Sequence, residues 1–292
     1  MPEWVCFALA IKIMTDKNTK QDIRAFYDKT GWSQVGDGLY QNATYEDLRP
    51  VALEYTHRTH LRINRYIAPK GKFLLDAGSG PVQYPEYLTY SAGYDYRVCV
   101  DISSTALKEA RQRLGEHGLY VIADIAKLPF KQDAFDGIVS LHAIHHLHLD
   151  EHPVAYRELY RVLAPARTAA VVNGWGRSWF FRTIHTPWRM RSTIRRWWRR
   201  IRSGKRAGEK FGPPEITFVD KYDADWLKKN IGNDISLKIY AWRSITSITT
   251  RLYVHGWLGG RWFLRFLFNL EERFPTWFGE HGAYPLVVIE KE

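Results

Sequence analysis

Cysteine is scarce: the 292 residues hold only Cys6 and Cys99, far apart and in no CxxC or ligand-spaced group. That excludes a disulfide framework and a cysteine zinc site, and it fits a reducing, cytoplasmic setting. Long hydrophobic runs are missing as well. Crossing a bilayer takes about 20 apolar residues, whereas the run at 4–11 (WVCFALAI) stops at Lys12 and the run at 252–260 (LYVHGWLGG) stops at Arg261. The first run has no basic leader and no A-x-A-like cleavage site, so no signal peptide is expected. No internal repeat stands out either.

Net charge is absent from most of the chain. Between Arg177 and Lys210 stand 12 basic residues and one acid, Glu209, a local excess equal to the +11 of the whole protein. The 42 basic residues less those 12 leave 30, facing 30 of the 31 acids. The sequence pI near 9.5 therefore belongs to one segment. With 45% hydrophobic residues there is enough apolar material for a full core.

From residue 72 short apolar runs alternate with amphipathic stretches. KFLLDAG, RVCVDIS, LYVIAD, AFDGIVSLH and RTAAVVNGW read as strands. YPEYLTYS, with Pro85 in its first turn, SSTALKEARQRLGEHG, capped by Ser103 or Ser104 and stopped near Gly115 or Gly118, and EHPVAYRELYRVLAP read as helices. This order predicts a doubly wound α/β fold whose ligand lies at the carboxyl ends of the strands. There the first strand carries Asp76-Ala77-Gly78-Ser79-Gly80-Pro81, the second ends at Asp101-Ile102 and the third at Asp124-Ile125. Glycines let the backbone approach a ligand closely, Asp101 is placed to accept from both ribose hydroxyls, and Ile125 is placed to flank a purine. A dinucleotide fingerprint needs a third glycine, which is lacking here: Pro81, Val82 and Gln83 follow Gly80. Asp76, two residues before the first glycine, suits a cationic amino group better than a polyphosphate. Adenosine bearing a charged amino acid is the expected ligand.

FLLDAGSGP, VCVDIS, ADIAKLPF, FDGIVSLHAIHHL and LYRVLAP, in that order over residues 72–174, resemble the class I S-adenosylmethionine-dependent methyltransferases, in particular the type 11 group with the ubiquinone and menaquinone biosynthesis enzymes. The resemblance implies a mostly parallel seven-stranded Rossmann-like sheet with an antiparallel C-terminal strand and added lid helices. It also implies S-adenosyl-L-methionine as cofactor, with Asp76, Gly78, Ser79 and Gly80 around its methionine part, Asp101 and Ile102 at the ribose, Asp124 and Ile125 at the adenine, and Ser140 by the sulfonium. Val82 stands where the family has its third glycine. QDIRAFYDKTGW (21–32) resembles the segment that closes over the cofactor, which puts Tyr27 at the cofactor's carboxylate end or at the acceptor.

Methyl transfer from a sulfonium needs orientation and a dry cavity, and a base only if the nucleophile arrives protonated. His142, His145, His146, His148 and His152 follow the fourth strand. His142 is the first candidate base and His145 the second; no acid is spaced to complete a metal set, so no metal is expected. In DLRPVALEYTHRTHLRINRYI, a helix by its pattern, Leu53, Leu61 and Ile63 are apolar and Arg58, Arg62 and Arg65 read as a solvated face, with His57 or His60 as substrate candidates. Met190, Ile194, Trp197, Trp198 and Ile201 form a helical apolar stripe beside the arginines of Arg189–Arg206, the pattern of a helix lying on an anionic membrane surface. RWFLRFLFNLEERF (261–274) is apolar almost all round and is expected to be buried in protein or lipid. Nucleic acid is a rival partner, disfavoured because the charge sits in one segment.

The expected organisation is an N-terminal lid at 1–70, a cofactor-binding core at 71–174, a basic insertion at 175–220, and the end of the sheet at 221–292 with a helical insertion at about 250–278. AYPLVVIEKE should pair antiparallel with ISLKIYAW. The expected activity is methyl transfer to a hydrophobic or amphiphilic small molecule, lipid or quinone-like, by a cytoplasmic enzyme peripherally attached to membranes. The alternatives are a small-metabolite methyltransferase with an acidic substrate and an RNA methyltransferase. Oligomeric state is not legible.

Overall fold

Seven strands build the central sheet of this computed structural model, which describes residues 19–28, 34–36, 39–40, 46–176 and 219–292. A short hairpin, Gln34–Gly36 (β1) with Leu39–Tyr40 (β2), precedes it. The sheet strands are Gly71–Ala77 (β3), Tyr94–Asp101 (β4), Gly118–Ile122 (β5), Gly137–Leu141 (β6), Thr168–Val172 (β7), Leu237–Arg243 (β8) and Tyr284–Glu290 (β9). They lie in the order β5-β4-β3-β6-β7-β9-β8, and only β9 runs against the rest. The expected mixed sheet is thus present, and its C-terminal strand pairs with β7 as well as with β8. Chain order reverses at β3, flanked by β4 and β6, so the crevice for a ligand opens at its carboxyl end.

Continuous apolar strands follow from burial on both faces. Successive residues of β3 point to opposite layers: Leu75 enters a core with Tyr156, Leu159 and Val287, while Leu74 enters another with Tyr87, Tyr90 and Trp242. The helices covering these layers are Pro85–Leu88 (α3), Ser104–Leu114 (α4), His152–Val162 (α5) and Ala224–Asn230 (α6). Ser103 caps α4 by accepting from the Ala106 amide at 3.1 Å, and Gly115 ends it with φ 54°.

N-terminal to the core lie Thr19–Phe26 (α1) and Leu53–Leu61 (α2), the latter prolonged by a 3-10 turn at Arg62–Arg65. Between β8 and β9 stand Ser247–Tyr253 (α7), Gly260–Arg273 (α8) and Pro275–His281 (α9). One sequence expectation fails in part here. Arg62 and His60 are buried, whereas Leu53 is 52% exposed. His57, Arg58 and Arg65 keep solvent exposure, whereas Arg62 donates to Glu271 and Glu272 of α8 and to the Trp242 carbonyl, and His60 stacks on Trp242. α8 buries Gly260, Leu264, Leu267, Phe268 and Glu271 against protein and leaves Trp262, Phe263 and Phe266 exposed. The basic stripe Arg189–Arg206 lies outside the described residues.

Candidate functional site

The turn after β3 sits in the crevice. Gly78 and Gly80 take φ 77° and 55°, and a Cβ on Gly78 would stand 2.2 Å from that of Ala143. The turn hangs on β4, with the Gly78 and Ser79 amides donating to the Val100 carbonyl at 2.7 and 3.0 Å. Val82 adopts φ 52°, the left-handed conformation a third glycine would take, despite its branched side chain. Its side chain is wholly buried, and Arg113 of α4 donates to the Val82 and Gln83 carbonyls. The loop therefore keeps the tight geometry without the glycine.

Asp101 at the tip of β4 accepts from the Gly80 amide with one oxygen and from the Ser103 amide with the other, both at 2.9 Å. Loss of water around this half-buried carboxylate pushes its pKa up to about 6, against the opposing pull of those two amides. A desolvated acid with only backbone donors suits a pair of ribose hydroxyls. Ile102 beside it is half-buried. Asp124 caps its own turn through the Ala126 amide at 2.9 Å and receives Lys20 on the other oxygen at 2.6 Å, while Ile125 belongs to the core. Lys20 also meets Glu151, and Asp28 accepts from the Ser103 hydroxyl and the Thr105 amide, so α1 and the residues after it cover this end of the sheet.

Two of the expected anchors are engaged by the protein itself. Asp76 is buried and faces Arg97, whose Nε donates to its Oδ2 at 3.0 Å. Arg97 reaches it because Cys99 is the register partner of Asp76 and Arg97, two residues earlier, projects to the same face. Nothing in the spacing signals that a strand arginine turns inward; Asp76 Oδ1 makes no hydrogen bond among the described residues, and is the oxygen left for a cationic ligand group. Ser140 is fully buried and donates to the Ala77 carbonyl at 2.8 Å, tying β6 to β3. A buried hydroxyl takes the nearest backbone acceptor, so this one serves the sheet. Ser79 likewise turns its hydroxyl to the Gly80 carbonyl, at 3.2 Å.

Beyond β6 the histidines divide. His142, at φ 57°, packs edge-on against Trp242 and Tyr284. Burial lowers its pKa to about 3, with Glu46 opposing. Burial also holds His145 well below its ordinary value. Both are neutral imidazoles at physiological pH, and proton uptake by either is costly. Tyr27 is buried with its hydroxyl 2.8 Å from His146 Nε2. His152 turns inward, bonded to the Leu147 carbonyl at 3.0 Å beside Tyr222, a packing role. The same crevice holds residues that sequence reasoning passed over: Glu46 and Arg243 form a buried ion pair, and Tyr84, Trp242 and Tyr284 line it with rings.

Residues 75–170 match the methyltransferase domain family. The chain is similar to the mouse eEF1A lysine and N-terminal methyltransferase, 27% identical over 148 residues that span 48% of this chain and 21% of that protein. It is also similar to the mouse probable tRNA methyltransferase 9B, 27% identical over 42% of this chain and 27% of that protein. The chain thus spans only about a fifth to a quarter of these curated relatives. Among solved structures, the geranyl diphosphate C-methyltransferase of Streptomyces coelicolor A3(2), held with S-adenosyl-L-homocysteine, superposes with a TM-score of 0.54 at 13% identity, covering 94% of this chain and 98% of that one.

Proposed function

We propose that this chain, which carries a class I S-adenosylmethionine-dependent methyltransferase domain, methylates a hydrophobic or amphiphilic small molecule, lipid or quinone-like, at a membrane surface. When bound, S-adenosylmethionine supplies a methyl group already activated on a sulfonium. The protein would hold it with the Gly78–Gly80 backbone, Asp76 Oδ1, Asp101 and Asp124, while α1 excludes water. His142 and His145, kept neutral, border the acceptor and fit a nucleophile that needs little help from a base. Tyr27, bound to His146, closes the acceptor side.

The membrane reading is carried by one observation. Trp257 and Trp262 are 81% and 71% exposed, with Leu258, Phe263 and Phe266 beside them, and Trp262 stacks on Phe266 with ring centroids 5.7 Å apart. Aromatic surface of this kind, flanked by the exposed Arg261 and Arg265, suits insertion among anionic headgroups. The opposite face of α8 leans on β8, which carries Trp242 and Arg243, so a bilayer contact here opens toward the acceptor end of the sheet. No helix among the described residues is long and apolar enough to cross a membrane, and the proposed attachment is peripheral, by an enzyme of the cytoplasm. Replacing Trp257, Trp262 and Phe266 together by serine is expected to weaken co-sedimentation with phosphatidylglycerol-rich vesicles by about tenfold or more, with S-adenosylhomocysteine binding kept. Unchanged sedimentation would refute the surface. The mouse relatives, by name, act on a protein and on tRNA; tight binding to RNA oligomers without vesicle binding would favour a macromolecular acceptor engaged by the basic segment.

Asp101 also sets a pH dependence. Its carboxylate is ionised above about 6, so affinity for S-adenosylhomocysteine should be level above about pH 7 and fall about tenfold per unit below pH 6. Calorimetry across that range reads it; a flat profile would remove Asp101 from ribose binding. For the ligand-free chain the sign is reversed. The contribution of Asp101 to stability is fully present below its ordinary 3.8 and is lost as pH rises through about 6.

A further inference from the structure

Among the described residues, several buried polar side-chain atoms lack any partner, and half of them gather at one place. His60 Nε2, Tyr84 hydroxyl, Trp242 Nε1, Arg243 Nε and His145 Nδ1 are all without a hydrogen bond. The first four belong to side chains more than nine-tenths buried. They share one wall. His60 lies 4.7 Å from the Tyr84 ring and stacks on Trp242 at 5.4 Å, and the Arg243 guanidinium sits over both Trp242 and Tyr284 at 4.9 and 4.8 Å. His142, at the tip of β6, packs edge-on against Trp242 with centroids 5.1 Å apart. The wall is therefore next to the crevice, at the carboxyl edge of the sheet.

A folded protein leaves so few buried polar atoms unpaired that a group of them asks for a ligand. Their chemistry defines it. Trp242 Nε1 and Arg243 Nε can only donate, and the Tyr84 hydroxyl stays protonated because burial raises its pKa. Glu46, the acid nearest to the wall, is already engaged by the other nitrogens of Arg243 and lies 4.0 Å from His60 Nε2, beyond hydrogen-bond reach. We infer that these donors form the polar end of the acceptor site and take an anionic oxygen, such as a carboxylate, phenolate or enolate, on the molecule to be methylated. The inference rests on the methyltransferase reading and extends it. An acceptor that arrives as an oxyanion needs no base, which agrees with the neutral, half-buried His142 and His145. The aromatic walls around the donors accommodate a flat or apolar body behind that oxygen. An ammonium-bearing acceptor would find no unengaged carboxylate in this wall and would leave its donors unpaired, so the oxyanion is favoured.

The test uses the whole chain, with and without saturating S-adenosylhomocysteine, and ligand-observed NMR with three probes of one shape: 4-butylbenzoate, 4-butylbenzyl alcohol and 4-butylbenzylammonium. The carboxylate should bind at least about tenfold more tightly than the ammonium, with the alcohol between them. Tyr84→Phe removes one oxygen and keeps the ring, and Trp242→Phe removes the indole donor. Each should weaken the carboxylate about fivefold or more while S-adenosylhomocysteine affinity stays the same. Equal binding of ammonium and carboxylate would overturn the inference, and so would carboxylate affinity within twofold of the parent in both variants. Failure of S-adenosylhomocysteine to bind would overturn the cofactor reading instead, and the titrations without it would still decide this one.

Discussion

Asp101→Asn is expected to weaken S-adenosylhomocysteine binding by about 100-fold or more while leaving the fold intact. Each oxygen of Asp101 accepts one backbone amide, from Gly80 and from Ser103, and each retains a lone pair for a ribose hydroxyl. Hydrogen bonds to a charged acceptor contribute about 1.5–3 kcal/mol each, so losing one from the ligand and the charge behind the other reaches about 3 kcal/mol. Asparagine keeps the volume but turns one acceptor into a donor, which must face either an amide N–H or a ribose hydroxyl. Folding should suffer little. The native carboxylate is held in a poorly solvated place, as its raised pKa shows, so removing the charge offsets much of the lost amide bond. The expected pattern is a thermal midpoint within a few degrees of the parent and a calorimetric titration near silence. Binding within fivefold of the parent would contradict the assignment of Asp101 to the cofactor.

The second large effect concerns the lid. Arg62→Met should cost about 3–5 kcal/mol of stability, the range for leaving one partner of a buried pair alone. Arg62 Nη1 lies 2.8 Å from Glu271 Oε2 and 2.7 Å from the Trp242 carbonyl, and its Nε reaches Glu272 at 2.8 Å. Glu271 in turn accepts from the Tyr55 hydroxyl and from the Ser244 amide and hydroxyl. One guanidinium thus joins α2, β8 and α8, and its ring neighbour Phe268 lies 4.0 Å beneath it. Methionine fills the space but leaves the carboxylate of Glu271 without its cation. Guanidinium chloride unfolding should register the loss, and Arg62→Met/Glu271→Gln should recover at least half of it because the uncompensated charge is gone. A double variant no better than the single one would show that the packing of Arg62 matters and its charge does not.

Much of the cofactor end was legible in the sequence. Gly78, Gly80, Asp101 and Asp124 stand at strand tips because a strand ends where its apolar run ends, and a turn begins where glycine or a short acid permits it; both are properties of a few neighbouring residues. The N-cap at Ser103 and the stop at Gly115 are legible for the same reason. Val82 shows where local reading stops, since its left-handed backbone is imposed by the turn and by Arg113 from α4, against its own preference.

By itself the sequence determined the alternation of elements, the doubly wound sheet and the order of polar anchors along it, because periodicity and turn chemistry act over fewer than about a dozen residues. Tertiary structure alone decided which polar groups go inside. Asp76 met Arg97 across the sheet, Ser140 turned to Ala77, Arg62 was covered by α8, His60 was enclosed by Tyr84 and Trp242, and Glu46 found Arg243 some 197 residues away. Whether a charged side chain is solvated or paired depends on what distant segment comes to lie over it, and burying a charge is tolerable only when that segment brings the partner.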